Sequence, residues 1–364
     1  MSSPRRLDSL SATLRKPLPG VADLRERLAN FRYSLFRLKP SRSTADASAA
    51  TQPGYRARVL RSLILAAAGN HTARTVLTSV PGSRGVVHRF VAGDTTDDAV
   101  ATAAALVADG LAVTLDHLGE NVTDADGAEA TVQAYLDLLH RLHADELAHR
   151  VEVSVKLSAT GQSVHEALAL ENASRICAAA EQAGTTVTLD AEDHTTTDAT
   201  LRVLAELRRS WPSTGAVLQS YLRRTEQDCH ALAVQGSRVR LCKGAYAEPP
   251  EVAFTDPQDV ALSFVRCANV LLAGPGYPMF ATHDPRLVDI VTERARWFGR
   301  EPGSFEYQML YGVRPAEQRR LAAGGATVRV YLPYGSDWYG YLLRRLAERP
   351  TNIAFFLRSL VSTR

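Results

Sequence analysis

From residue 111 onward the chain alternates between two hydrophobic periods, and this alternation constrains its fold more than any other feature. Short runs rich in β-branched residues fall at Leu111–Asp116, Val151–Lys156, Thr185–Asp190, Ala216–Tyr221, Arg238–Cys242, Pro278–His283, Ser304–Leu310 and Thr327–Leu332. Longer stretches between them carry apolar residues at helical spacing. In 128–150, for example, Val132, Tyr135, Leu136, Leu139 and Leu142 recur. A period of two suits a strand, and a period of three to four suits a helix. Strands separated by helical crossovers pair in parallel. Eight such units in about 240 residues fit a closed (β/α)8 barrel of the TIM type. The rival is an open doubly wound sheet, which normally carries a glycine-rich first turn. Neither GxGxxG nor GxxxxGK[ST] occurs in the chain.

The rest of the chain divides around this repeat. Residues 1–54 are rich in Ser, Arg, Ala and Pro without a sustained hydrophobic period, and are expected to be a disordered basic leader. Residues 55–110 are expected to form a helical segment leading into a barrel over 111–364. Charge follows the same division. Residues 1–58 hold twelve Lys/Arg against four Asp/Glu, and the remainder holds thirty against thirty-five. A mildly acidic body argues against a nucleic-acid groove in the folded part. A basic leader suits an anionic membrane surface, and the expected location is cytoplasmic, peripheral at the inner face of the membrane. No apolar run reaches the roughly 18 residues that a spanning helix needs. Cys177, Cys229, Cys242 and Cys267 form no CxxC pair, so they read as free thiols rather than as a zinc or redox site.

In a parallel barrel the working residues sit where the strands end, at the carboxyl face. Nearly every expected strand here ends in a polar residue. In chain order these are Asp116, Lys156, Asp190, Gln219, Arg240 with Lys243, His283, Gln308 and Tyr331. An inert barrel has no need of such a series. After the last strand, Tyr341, Arg344, Arg345 and Glu348 fall at i, i+3, i+4 and i+7 and share one helix face. Leu342, Leu343 and Leu346 occupy an adjoining face that can pack on the barrel. Alone, such a stripe reads as a solvated face with Glu348 paired to the arginines. Following the last strand, two adjacent guanidiniums are also suited to binding a carboxylate through paired N–H···O bonds.

Seven motifs then occur in a fixed order: VKLSATG (155–161), TLDAEDH (188–194), VLQSYLRRT (217–225), RLCKGAY (240–246), FATHDP (280–285), FEYQMLYG (305–312) and RVYLPYGSDWYGYLLRRLAE (329–348). Together they resemble the proline dehydrogenase family, in its single-function bacterial form, from about residue 60 onward. The resemblance implies a distorted (β/α)8 barrel that holds FAD non-covalently. It implies oxidation of L-proline to Δ1-pyrroline-5-carboxylate, with electrons passed to a membrane quinone. By the same resemblance, Arg344 and Arg345 bind the proline carboxylate, and Lys156 and Asp190 stand beside the substrate. Tyr246, Leu310, Tyr331 and Tyr341 wall its ring. Gln219, Arg240, Cys242, Lys243, Gly244, Thr282, His283 and Glu348 match the family's cofactor side. Position 242 departs from the family, which usually has Val before KGAY. No aldehyde dehydrogenase segment follows the last motif, so a separate pyrroline-5-carboxylate dehydrogenase is expected downstream. The Lys156–Asp190 pair can be read as an ion pair that shapes the pocket or as an acid–base couple.

Two other classes compete. Asp116, Asp190, Glu192, His194 and His283 are possible metal ligands at strand ends, as in barrel hydrolases or aldolases. No His-x-His pair follows the first strand to support that reading, and no metal site is expected. A non-catalytic membrane-tethering protein led by its basic leader is the third class.

Overall fold

Helices that cover the outside of a parallel barrel require outward-facing apolar residues, so the intervening residues must fill the interior. The computed structural model describes residues 87–348, with side chains as far as residue 345, and shows this division throughout. Eight parallel strands close into a barrel in sequence order. They are β1 (Ala112–His117), β2 (Val151–Val155), β3 (Val187–Leu189), β4 (Gly215–Gln219), β5 (Arg238–Cys242), β6 (Tyr277–Ala281), β7 (Glu306–Leu310) and β8 (Val328–Tyr334). Pairing of β1 with both β2 and β8 closes the ring and leaves no edge. The leader expected over 1–54 and the first part of the expected helical segment, 55–86, lie outside the described residues.

Each expected strand run overlaps an observed strand, and the differences are at the ends. The third run is regular only over Val187–Leu189. The eighth continues to Tyr334, because β1 keeps it in register as far as the His117–Tyr334 pair. Among the described residues, helix α1 (Thr96–Ala108) precedes the first strand. Helices α2 (Ala125–Ala144), α3 (Glu166–Ala183), α4 (Thr197–Ser210), α5 (Thr225–Leu232), α6 (Pro257–Ala273), α7 (Pro285–Trp297) and α8 (Pro315–Ala323) connect the strands, and α9 (Trp338–Glu348) follows β8. Local sequence sets several boundaries. Asp256 and Asp284 each cap a helix whose first residue is proline, a position where the missing N–H costs nothing. The helical pattern read over 128–150 ends at Ala144, where Asp145 caps it and Glu146 turns with a φ of 58°.

Two apolar layers lie between sheet and helices. One packs Val113, Leu115, Val153, Val155 and Leu189 against Val132, Leu139 and Ile176. The other packs Leu218, Leu241, Phe280 and Val330 against Phe264, Leu271 and Val288. Inside the barrel most of the alternate residues are charged or polar, in place of the aliphatic layers that commonly fill such barrels. Glu152 on β2 is 2% exposed, and it accepts hydrogen bonds from Thr114 at 2.7 Å, Arg238 at 2.5 Å and Arg240 at 3.3 Å. Glu306 on β7 is likewise enclosed and holds Arg329 at 2.7 Å. Burial pushes the Glu152 carboxyl up, but the charges of Arg238, Arg329 and Arg240 outweigh it and hold the carboxyl well below its ordinary range. Gly215 belongs to this interior: a Cβ there would lie 2.5 Å from the Thr188 hydroxyl.

A small apolar cluster sits above the barrel's carboxyl face. Val87, Phe90 and Val91 pack with Leu118, Tyr339, Leu342 and Leu343, so the segment before α1 braces α9. Leu342 and Leu343 of the expected apolar face are therefore buried, partly against this segment, and the side chain of Leu346 lies outside the described residues.

Candidate active site

The charged interior rises into the barrel mouth as a connected column. Lys156, just past β2, places its ammonium 2.6 Å from Asp116 and 3.6 Å from Asp190. Its main partner is thus Asp116 on β1, and Asp190 is the secondary one. Asp190 accepts from Ser154 at 2.7 Å, Arg240 at 2.8 Å and the Tyr331 hydroxyl at 2.6 Å. Arg240 also donates to Gln308 at 2.5 Å and stands 5.3 Å from the Tyr331 ring centroid. Several residues read as strand ends lie deeper than that. Arg240, Gln308 and Tyr331 are mid-strand and face the axis, one step below the rim.

Enclosure tunes these groups. Burial works against the Lys156 ammonium, but Asp116 and Asp190 outweigh it and raise its pKa. Burial pushes the Asp116 carboxyl up against the pull of Lys156. The Tyr331 hydroxyl is held protonated, first by burial and then by Asp116 and Asp190. It therefore serves as a hydrogen-bond donor to Asp190.

Above the column, α9 carries Tyr341, Arg344 and Arg345. Arg344 makes a bidentate pair with Glu120 on the β1–α2 loop, at 2.8 and 3.2 Å. Its guanidinium carbon lies 5.8 Å from the Tyr246 ring centroid. That of Arg345 lies 5.0 Å from the Tyr341 ring centroid. Burial pushes the Glu120 carboxyl up, but the charge and hydrogen bonds of Arg344 outweigh it and hold the carboxyl below its usual value. Glu348 lies within α9, but its side chain is outside the described residues. Leu310 ends β7 at the same rim.

Apart from Glu348, the residues assigned to a cofactor gather on and just past β4, β5 and β6. Gln219 donates to the Glu192 carbonyl at 2.8 Å. Burial raises the Cys242 thiol to about 11, so it is not a poised thiolate. Lys243 is about one-third exposed and reaches Asp284 at 2.9 Å. Gly244 has a φ of 104°, and a Cβ on it would lie 2.3 Å from the Tyr221 ring, so only glycine fits this turn. Thr282 is buried and accepts from the Asp284 N–H at 3.2 Å. His283 Nε2 accepts the Leu310 N–H at 2.8 Å, which places the proton of a neutral ring on Nδ1. Two cations, one side-chain amide, one hydroxyl and a side-chain-free turn make a donor set that fits an anionic, phosphate-bearing cofactor with a polar ring.

Sequence reasoning passed over Glu120, Ser158 and Glu248. Glu120 had no strand-end position to mark it; only an acid just past a strand, available to the arginines of the last helix, could have drawn notice. Ser158 donates its N–H to Glu192 at 3.0 Å and its hydroxyl to the same carboxylate. Glu248 binds the ring and the N–H of His194, and it accepts from Tyr221 at 3.1 Å. These pairs also bear on the metal reading. Asp116 and Asp190 face Lys156 and Arg240, Glu192 faces Ser158, and His194 faces Glu248. Among the described residues no group of three or more His, Cys, Asp or Glu is arranged to hold a metal ion.

A closed parallel barrel with a charged column at its carboxyl face and a basic helix over the mouth has the architecture of a barrel enzyme with its site at the strand ends. The family model for proline dehydrogenase matches residues 99–358. The chain is 37% identical over 279 residues to proline dehydrogenase 2 of Bacillus subtilis (strain 168), covering 77% of this chain and 91% of that protein. It is 40% identical over 281 residues to proline dehydrogenase of Deinococcus radiodurans, covering 76% and 90%. Among solved structures, proline utilization A from Bdellovibrio bacteriovorus superposes with a TM-score of 0.67 at 24% identity, over 72% of this chain. The chain spans about a third (32%) of that longer protein, which supports the fold alone. The chain belongs to the proline dehydrogenase family.

Proposed function

We propose that this enzyme oxidises L-proline to Δ1-pyrroline-5-carboxylate using bound FAD, and that the electrons leave to a quinone. The observation that carries this reading is the Arg344–Glu120 pair. A basic helix is held over a buried charged pocket, with one guanidinium already gripping a carboxylate. In the substrate-free pocket Glu120 takes the place of the substrate carboxylate. Proline then binds with its carboxylate on Arg344 and Arg345, and Tyr246, Leu310, Tyr331 and Tyr341 enclose its ring.

The oxidation removes two electrons and one proton as hydride from the ring carbon beside nitrogen, and a second proton from the nitrogen, leaving a C=N bond. FAD supplies the two-electron acceptor. Gln219, Arg240, the backbone of Cys242 to Gly244, Lys243, Thr282 and His283 would hold it. Arg240 would supply positive charge that favours a reduced, electron-rich cofactor. The carboxylate clamp fixes the reacting carbon. Burial beneath the tyrosines and Leu310 disfavours the ammonium relative to the neutral amine, which the reaction requires. Lys156 keeps its proton between two carboxylates, so its role is to position Asp116 and Asp190 rather than to act as a base.

Contact with a membrane is peripheral in this reading, since no helix among the described residues is long and apolar enough to cross one. The test of the carboxylate clamp is Arg344→Met. The proline KM should rise by about two orders of magnitude, the loss of a charge-assisted pair, while flavin stays bound. An unchanged KM would remove Arg344 from the substrate site.

A further inference from the structure

Of the polar residues that punctuate the strands, Gln308 on β7 has no assigned contact with substrate or cofactor, yet it is 2% exposed. Glu306, two residues before it, is fully enclosed and lies on the same inward face. A glutamine amide has two unlike ends, and both are committed here. Its nitrogen donates to Glu306 at 2.6 Å and to the Met279 sulfur at 3.3 Å. Its oxygen accepts from the Arg240 Nε–H at 2.5 Å. An ionised carboxylate only accepts, so Glu306 dictates which way round the amide sits, and the amide oxygen is left facing Arg240. Glu306 is itself pinned near the amino end of the barrel. Arg329 donates to it at 2.7 and 3.2 Å, and the Tyr277 hydroxyl at 3.2 Å. A hydrogen-bonded chain thus rises from Arg329 through Glu306 and Gln308 to Arg240.

We infer that Gln308 is a positioning residue for Arg240: a neutral acceptor that holds the guanidinium against the pull of its carboxylate partners and so keeps its positive charge available to a reduced flavin. This rests on the reading that Arg240 faces a bound flavin. The terminal nitrogens of Arg240 donate to Ser154 at 3.0 Å, Asp190 at 2.8 Å and Glu152 at 3.3 Å. Strand order sets the two groups of partners apart. Glu152 on β2 and Asp190 just past β3 lie round one side of the ring from β5, and Gln308 on β7 lies round the other. Nε is therefore tethered from one side and the terminal nitrogens from the other. The two sides differ in charge as well. Asp190 and Glu152 draw the guanidinium and offset its charge, whereas the Gln308 amide holds it without adding a negative charge. Without the amide, Arg240 settles toward the carboxylates, and the reduced flavin loses part of its electrostatic support. A packing defect alone would weaken folding and cofactor retention but leave the reduction equilibrium of the bound flavin where it was.

The test is the midpoint potential of the flavin in purified holoenzyme, read by anaerobic equilibration with reference dyes. Gln308→Leu and Gln308→Met both remove the amide. Methionine keeps the length of the side chain and stands in if Gln308→Leu does not fold. Each should shift the reduction equilibrium about tenfold toward oxidised flavin, a potential about 30 mV lower for a two-electron couple. Arg240→Gln, reconstituted with excess FAD, should shift it further in the same direction, and in that background Gln308→Leu should add nothing. A wild-type potential in the Gln308 variants, a raised one, or the same shift with and without Arg240 would overturn the positioning role. Protein that takes up no FAD, or an Arg240→Gln potential equal to that of wild type, rejects the flavin reading and the positioning role with it. Bound flavin whose potential falls in Arg240→Gln but not in the Gln308 variants rejects the positioning role alone.

Discussion

Replacing Glu120 with glutamine removes a charge from the pocket while keeping a side chain of the same length. In the free enzyme Glu120 binds Arg344 through two hydrogen bonds, at 2.8 and 3.2 Å. The side chains are 14% exposed for Arg344 and 26% for Glu120, so solvent screens the pair only in part. Hydrogen bonds to charged groups contribute about 1.5–3 kcal/mol, and the partial exposure places this pair near the lower end. Glutamine keeps one acceptor, so about half of that, roughly 0.7 kcal/mol, no longer opposes the substrate. Two carboxylates on one guanidinium also repel. At about 5 Å and an effective dielectric of 20 the repulsion is about 3 kcal/mol, and with the pocket open on one side about 1 kcal/mol survives. Against these gains, a less firmly held Arg344 loses about 0.5–1 kcal/mol of orientation. The balance is about 1 kcal/mol in favour of the ligand, or roughly a three- to eightfold fall in the inhibition constant. Cyclopentanecarboxylate competition against proline in the holoenzyme gives the number directly. An equal or larger constant in Glu120→Gln would refute the idea that Glu120 competes for Arg344.

Further outcomes follow from the same geometry. Arg345→Met should raise the proline KM at least tenfold with the flavin content unchanged, and steady-state kinetics with an absorbance spectrum checks both. Gly244→Ala should lower flavin retention and the midpoint of thermal unfolding together, since its Cβ would lie 2.3 Å from the Tyr221 ring. Glu152→Gln should destabilise the barrel by about 3 kcal/mol or more at neutral pH, because it leaves three buried arginines short of a carboxylate. The Glu152 pKa is depressed in the folded state, so its contribution is complete above the unfolded value near 4.3 and declines as pH falls below it. The stability gap between wild type and Glu152→Gln should therefore narrow between about pH 4 and pH 2 in denaturant titrations; a constant gap would contradict the assignment.

Much of the fold is legible because the barrel writes one period into every strand. VEVSVK at 151–156 and VRVYL at 328–332 alternate apolar and polar residues, and the apolar set faces the helices. The same alternation contained a second message: Glu152, Arg238, Glu306 and Arg329 share a face with the strand-end residues and so fill the barrel. Counting only the ends of strands missed this layer. Arg344 and Arg345 were legible by position, after the last strand and on a helix. The partner of Arg344 was not, because Glu120 lies 224 residues away in sequence on a loop with no periodic signal. The Lys156 pair shows the same limit. Asp116 and Asp190 stand at equivalent ends of the first and third runs, on either side of the run that carries Lys156, and only the three-dimensional positions separate 2.6 Å from 3.6 Å.

The central claim is that this barrel oxidises proline with a bound flavin, and one titration addresses it most directly. Purified protein reconstituted with FAD is titrated with L-proline in the absence of oxygen while the visible flavin absorption is followed. The band should bleach with saturable dependence on proline and return when a soluble quinone is added. A folded protein that binds no flavin, or a flavin band that proline leaves unchanged, would contradict the account.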